Sequence, residues 1–485
     1  MKKLLFLALL SLGLLVSSVS AEDLQQIYDL AFENDTQFAQ AKIQRKIAGE
    51  NARQSLASLL PVVNMSLSGG TRSTTKYRRT FPSELLNDPA GRFLGADPET
   101  NEVWTVNESR EEFPSGYSVN LSQVIFSIPT FISYRNSRLN FQGAKESFAS
   151  QEQSLIIRVV EAYFNVLQAR DSLDNALRRR ETTERQLEQT EQRYEVGLTA
   201  ITDVLNAKAS FDNLEVNLNE TRNSLDTAFL TLKRLTGQPI QQIARLSEDY
   251  PIENPEPNDE AQWVDYALRN NPGVLGAERS YQMARWNHWN TLAGYFSVPS
   301  VSLNVGYSYS ESPIEDPFTQ LDTGYDLISE SIRTTYGFSI SFSVAGGRRI
   351  SQNKVSAMNR EQSRLGMINQ RLTVEEQTRS QFRTVVQVVL QIESLERSIE
   401  SSRASLDATE KGYEVGTRNI IEVLNAQNSL FQAELNYRNT IHRYITSMLR
   451  LKQTVGMLNP NDLTELNKYL DSERVVTPVN TMSGK

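Results

Sequence analysis

The sequence predicts a mainly α fold joined to a membrane β-barrel. Long α-helical hairpins from three protomers are expected to form an α-barrel continuous with roughly 12 β-strands, four per protomer. Three observations carry this expectation. A helix-break sequence occurs twice, as Tyr194-Glu195-Val196-Gly197 and Tyr413-Glu414-Val415-Gly416. Each copy lies between long stretches of helical periodicity nearly free of Pro and Gly. Four shorter segments switch to an alternation of period two.

The duplication organises the chain. The offset, 413 − 194 = 219, also carries Val204-Leu205-Asn206-Ala207 onto Val423-Leu424-Asn425-Ala426 and Gly237 onto Gly456. That spacing is too long for a solenoid, so the repeat is half a protein.

In chain order, the first element is a signal peptide over 1–21. Lys2 and Lys3 precede the apolar run Leu4 to Val16, and Val19-Ser20-Ala21 offers small residues for cleavage. The run is shorter than the ~20 residues of a membrane span. The chain has no Cys, which excludes disulfides, thiolate metal sites and a lipid-modified N-terminal Cys. Without Lys2 and Lys3, 58 acids stand against 48 bases, a net charge of −10 spread along the chain, which argues against nucleic acid.

The first structural repeat is read as 22–250. It opens with helices from Asp23 to Leu59, followed by strands at about 62–73 and 116–127 and a long hairpin at about 130–236. In that hairpin Ile156, Val160, Tyr163 and Leu167 give the 4, 3, 4 spacing of a helix seam. Gly197 ends its first helix as a left-handed cap, and Gly237 stops the second. A linker follows at 251–259, rich in acid and holding Pro251, Pro255 and Pro257. The second repeat, 260–466, has helices from Glu260 to Thr291, strands at about 299–310 and 334–345, and a hairpin at about 349–455. A flexible C-terminal tail is expected at 467–485.

The strands have two unlike faces. Val63, Met65 and Leu67 alternate with Asn64, Ser66 and Ser68, and Tyr117, Val119 and Leu121 with Ser118, Asn120 and Ser122. Val301 to Tyr309 and Tyr336 to Val344 repeat the pattern with more aromatics. Such a sheet either covers a soluble core or turns its apolar face to lipid and its polar face to a wet lumen. Tyr at the ends and the secretory signal favour lipid. Four strands cannot close a barrel, and an open edge in lipid strands backbone groups at several kcal/mol each. Two copies would give ~8 strands and a filled interior, whereas three give ~12 and a water-filled lumen. The helices of three copies would then make a tube, and a tube is a conduit.

At Ala162-Tyr163-Phe164-Asn165-Val166-Leu167, Gly197-Leu198-Thr199-Ala200-Ile201-Thr202-Asp203-Val204 and Gly412-Tyr413-Glu414-Val415-Gly416-Thr417-Arg418 the chain resembles the TolC family of outer-membrane exit ducts. The resemblance runs from about Tyr28 to Leu466. It implies a homotrimer in outer-membrane lipid with a long periplasmic extension. It also implies recruitment by a periplasmic adaptor (membrane fusion) protein and an inner-membrane transporter of RND, ABC or MFS type. The cargo would be small amphiphiles or secreted proteins. The chain departs from the family in two places: Val344-Ala345-Gly346-Gly347 runs directly into Arg348 and Arg349 without a Pro-containing connector. Glu422 also stands where relatives carry one Asp, and Asn425 replaces another.

No catalytic, cofactor or metal site is predicted. The two histidines, His288 and His442, have no ligand spacing, and no G-x-S-x-G or phosphate-binding Gly loop occurs. By resemblance, Tyr413 and Arg418 beside the second break form a closing latch with Thr202 and Asp203 beside the first. Surface pairing is the alternative, worth ~0–1 kcal/mol. Glu422 either completes a capping box with Asn419 or contributes to a carboxylate ring at the three-fold axis; the two roles are compatible. Gly197 and Gly416 are helix caps that the resemblance also places at the adaptor-docking tip. Thr74 to Ser115, with Pro82, Pro89, Pro98 and Pro114, reads as an external binding loop or as disorder. The rival reading of the whole chain is a non-conducting coiled-coil tether of the periplasm.

Overall fold

The computed structural model describes residues 22–69, 73–81, 104–112, 115–315, 327–342 and 346–479. The signal peptide lies outside the described residues. The elements in chain order are α1 (Leu24–Asn34), α2 (Thr36–Ala57), β1 (Val62–Ser68), β2 (Ser73–Phe81), β3 (Trp104–Glu112) and β4 (Ser115–Phe126). Then come α3 (Ile128–Glu195), α4 (Ile201–Thr236), β5 (Ile243–Leu246), α5 (Glu260–Asn270), α6 (Pro272–Tyr295), β6 (Ser300–Glu315) and β7 (Leu327–Ser341). The chain ends with α7 (Gly347–Glu414), α8 (Ile420–Thr454), α9 (Pro460–Asn467) and β8 (Leu470–Val476). Two compact units result, and the boundaries between them fall inside α2, α3, α6 and α7. No described helix is long and apolar enough to cross a membrane.

The helical unit comprises residues up to Gly49, Leu139–Met283 and from Arg360 onward. Its core is built on α3, where Leu155, Ile156, Val159, Val160, Tyr163, Phe164 and Val166 are all buried. Apolar residues at consecutive positions surround the helix rather than lining one face, so this segment is enclosed by neighbours. The Tyr163 hydroxyl donates to the Ala244 carbonyl at 2.6 Å, fixing α3 to β5. Further along, polar bonds replace apolar burial. The Asn175 amide donates to the Phe431 carbonyl at 3.0 Å and Arg179 to the Asn428 side chain at 2.7 Å, tying α3 to α8. Arg180 and Glu215 tie α3 to α4.

Each repeat breaks its short helices with a cap. Asp35 ends α1 and begins α2, its carboxylate accepting from the Phe38 N–H at 2.6 Å. Asn271 separates α5 from α6 and accepts from Gly273 and Val274 at 2.8 and 3.1 Å. Asp35 also takes a two-pronged bond from Arg158 at 2.7 and 2.9 Å. Burial alone would raise its pKa. The Arg158 hydrogen bond, the Phe38 N–H and the charges of Arg158 and Arg234 outweigh that and hold the carboxyl below its ordinary range.

The sheet unit comprises Glu50–Arg138 and Ala284–Asn359. β4 pairs with β1 and β6, and β6 with β7, all antiparallel. The register places like residues opposite each other: Val63, Leu121, Val305 and Tyr336 form one row, and Met65, Val119 and Tyr307 the next. Opposed residues share a face, so one face is apolar across four strands. On the other face Ser66 bonds Ser118 at 2.7 Å, Ser300 bonds Ser341 at 2.7 Å and Ser302 bonds Ser339 at 2.9 Å.

The structure extends the expected strands. β6 continues to Glu315 and β7 begins at Leu327, because pairing in register from Ser300↔Ser341 to Ile314↔Leu327 carries the ladder beyond the apolar alternation. β7 ends at Ser341, and residues 343–345 of the expected strand lie outside the described residues. The stretch read as a loop contains β2 and β3, paired from Ser73↔Glu112 to Phe81↔Trp104. Thr, Tyr, Val, Phe and Trp give these segments strand propensity without an apolar period. Residues 82–103 and 113–114 of that stretch are outside the described residues. The stretch read as a tail contains β8, which pairs with β5.

Candidate functional site

Both helix breaks are closed by the same backbone device. Leu198 N–H donates to the Arg193 carbonyl at 2.8 Å and Gly197 N–H to Tyr194 at 2.9 Å. In the second copy Thr417 donates to Gly412 at 2.8 Å and Gly416 to Tyr413 at 3.1 Å. These bonds satisfy the last carbonyls of α3 and α7 and require a left-handed residue after the cap. Gly197 has φ 76° and Gly416 φ 75°, where a side chain would be strained. Nothing lies within 4 Å of where a Cβ would stand at either glycine, so neither is a packing glycine. The residues around them are apolar and uncovered in the protomer, Val196 and Leu198 at 69 % exposure and Val415 at 75 %.

The second break has its own core. Tyr413, Ile420, Val423 and Leu424 are buried together against Leu406. The Tyr413 hydroxyl is 3.4 Å from the Thr190 hydroxyl, and the Arg193 guanidinium lies 4.8 Å from the Tyr413 ring centroid. Tyr413 therefore joins the end of α7 to the end of α3. Sequence reasoning missed Thr190 and Arg193, since no local pattern says which face of α3 meets α7.

The start of α8 carries a full capping box. Asn419 accepts from Glu422 N–H at 3.0 Å, and Glu422 Oε1 accepts from Asn419 N–H at 3.5 Å. Glu422 Oε2 accepts from Arg418 Nη1 at 2.6 Å. The Arg418 bond holds the Glu422 carboxyl below its ordinary range, with a smaller contribution from the Asn419 N–H. In the first copy Thr199 donates to Asp203 across the same interval. The repeat offset maps one pair onto the other, 199 + 219 = 418 and 203 + 219 = 422. Each acid is thus held by the residue just ahead of its own helix. Within one protomer the Tyr413–Arg418 pair and the Thr202–Asp203 pair are not bonded to each other.

The histidines fall in different units. His442 Nε2 lies 3.0 Å from Asp171 and packs its ring 5.3 Å from Phe164, while His288 Nδ1 lies 2.9 Å from Ser356. Among the described residues no group of three or more His, Cys, Asp or Glu is placed to hold a metal.

Comparison with known proteins agrees with the doubled architecture. The chain is 30 % identical over 471 residues to the outer membrane protein TolC of Vibrio cholerae, covering 97 % of this chain and 99 % of that one. It is 26 % identical over 439 residues to the alkaline protease secretion protein AprF of Pseudomonas aeruginosa, covering 90 % and 85 %. The crystal structure of the channel protein CusC superposes with a TM-score of 0.68 at 16 % identity, covering 90 % of this chain and 92 % of that one. That likeness shows the fold, a mainly α chain with a β-barrel segment. The family model described as outer membrane efflux protein matches twice, over residues 27–238 and 263–457. The two matches cover the two halves of the repeat, and the chain belongs to the outer membrane efflux protein family, residing in the outer membrane with a periplasmic extension.

Proposed function

We propose that three copies of this chain close one β-barrel and serve as a passive exit duct, recruited by a periplasmic adaptor and an inner-membrane pump. The observation that carries this reading is the sheet register. One face is apolar over β1, β4, β6 and β7, and the other carries Ser, Asn and Gly in bonded rows. Among the described strands β1 pairs only with β4 and β7 only with β6. Both edges need partners in lipid, and a neighbouring copy supplies them. Kinship with AprF supports protein export as cargo beside small amphiphiles, and the TolC likeness supports the duct itself.

The closed end is proposed at the helix breaks. Arg418 and Tyr413 of one copy would meet Thr202 and Asp203 across the junction between copies, exchanging the pairs that each acid makes within its own protomer. The three Glu422 carboxylates would form a ring at the axis, and Gly197 and Gly416 would mark the tip that the adaptor engages.

The test is Tyr413→Phe combined with Arg418→Ser. Single-channel conductance in planar bilayers should rise while the assembly keeps its mass and melting temperature. Unchanged conductance with intact assemblies would remove these residues from the gate, and a stable monomer without pores would remove the duct.

A further inference from the structure

Where the four central strands meet their helices, the chain changes its charge. Residues 51–61, 122–138, 284–302 and 339–359 contain seven Lys and Arg and no Asp or Glu. The register brings these segments to one sheet end: Val62 opposes Ser122, Phe126 opposes Val301, and Ser300 opposes Ser341. At the other end Glu311 and Glu330 face each other.

Three of the four helices at this base share one order of residues. On α3, Phe131 stands nearest the sheet, and Arg135 and Arg138 follow at i+4 and i+7 on the same stripe. At the end of α6, Phe296, just past the last helical residue, is nearest, then Trp289 and Arg285 on the helix, at intervals of seven and four. α7 differs, with Arg348 and Arg349 ahead of Ile350 and Lys354 one turn after it, and at the end of α2 Leu56, with Leu60 just beyond it, lies between Arg53 and the sheet. All of these side chains except Arg349 are exposed, Phe296 at 71 % and Trp289 at 60 %. On α2, α3 and α6 the apolar or aromatic residue comes first and the cation one to three turns later, whereas on α7 cations stand on both sides of Ile350. At 1.5 Å per residue the first cation beyond each apolar residue nearest the sheet lies about 6–17 Å from it, and its flexible stem reaches back several ångströms. This is the order of a membrane interface, aromatic at the hydrocarbon edge and cation at the phosphates.

The base is also built to hold its shape. The Arg135 guanidinium stacks 4.1 Å from the Trp286 ring, Asn136 bonds Asn287 at 2.6 Å, and Ser55 bonds Ser137 at 2.6 Å. Arg349 donates to the Gly294 carbonyl. Arg348 sits in the first turn of α7, where its charge opposes the helix dipole. An anion there would answer both the guanidinium and the free N–H groups. Among the described residues Arg138, Arg348 and Lys354 make no ion pair or hydrogen bond.

We propose that the sheet base is a docking surface for anionic phospholipid headgroups of the periplasmic leaflet, selected over zwitterionic ones by this belt. The acyl chains lie along the apolar sheet face, and the phosphates lie among Arg138, Arg285, Arg348 and Lys354.

The test equilibrates the purified full-length protein in detergent with equal amounts of phosphatidylglycerol and phosphatidylcholine of matched chains. Retained lipid is counted by native mass spectrometry. Phosphatidylglycerol should be enriched at least about fivefold in ~50 mM salt, and the enrichment should collapse near ~500 mM. Arg138→Gln with Arg348→Gln and Lys354→Gln should abolish most of it with assembly mass unchanged. Lys208→Gln with Arg222→Gln and Arg397→Gln, three exposed cations of the helical unit, should leave it intact. Free glycerol phosphate should not compete. Equal retention of the two lipids by the unmodified protein, an effect of the control triple equal to that of the belt triple, or displacement by glycerol phosphate would each overturn the proposal. Should the belt triple misassemble, the lipid and salt comparisons on the unmodified protein and the control triple still decide it.

Discussion

Alanine at two of the repeat-related glycines separates backbone strain from packing. Gly416 and Gly456 have the same left-handed φ, 75°, and both follow long helices. A left-handed non-glycine residue costs roughly 1–2 kcal/mol, and the stiffer unfolded chain returns about 0.4–1 of that. Gly416→Ala should therefore cost about 1 kcal/mol, since its Cβ meets nothing within 4 Å. At Gly456 the new Cβ would lie 2.4 Å from the Asn270 carbonyl oxygen and 2.8 Å from its carbon. That carbonyl cannot swing aside like a side-chain tip. It ends α5, and the next residue, Asn271, caps α6 and donates to the Thr454 carbonyl at 2.7 Å. Opening such a contact adds about 1–3 kcal/mol. Thermal melts of the two variants at one scan rate should place Gly456→Ala several degrees below Gly416→Ala. Equal midpoints, or a lower one for Gly416→Ala, would refute the assignment of Gly456 to packing and Gly416 to the backbone turn alone.

Other outcomes follow from the same geometry. Asp35 has a depressed pKa, so the stability it contributes is complete above its ordinary value of 3.8 and is lost as pH falls through the lowered one. Asp35→Asn should lower the melting temperature at neutral pH and flatten its decline below about pH 4; an unchanged acid slope would assign that decline to other carboxylates. Gly197→Asn keeps a residue that tolerates the left-handed turn yet places a side chain in open space at the tip. Melting should change little while drug resistance in a complemented deletion strain falls, and full resistance would detach this glycine from adaptor docking.

Much of the fold was legible because its periods are long and clean. The alternation from Val301 to Tyr309 fixed which residues share a face, since a slip of one residue would turn every side chain over. Gly197 and Gly416 were readable as left-handed caps because a glycine closing a long polar helix has few other reasons to be there. Other features carried no such signal. In β2 and β3 charged residues are interleaved with Tyr77, Phe81, Trp104 and Val106, so no clean alternation announces the strands until the partners are known. Asp35 caps the break between α1 and α2, but its partner Arg158 lies 123 residues away and only folding joins them. Tyr413 could be named, whereas its neighbours Thr190 and Arg193 depend on how two helices rotate against each other.

Glu422 is a cap whose geometry would also suit the proposed gate. Its two oxygens have separate partners, Oε1 the Asn419 N–H and Oε2 the Arg418 guanidinium. Arg418 can therefore leave for Asp203 of a neighbouring copy without uncapping α8, and its departure exposes one negative charge per protomer at the proposed ring. A switch needs a differential effect on its two states, and the proposed exchange would supply one. Glu422→Gln retains a capping-box acceptor at the same position but removes the charge that competes with Asp203 for Arg418. The closed state should then be favoured, and the ring should lose three charges in the proposed trimer. Two readouts from one bilayer experiment follow: lower open probability, and weaker cation preference and multivalent-cation block. If selectivity falls but gating does not, Arg418 is not shared between the two acids. If neither changes, Glu422 is a cap alone and the ring is not where the current passes.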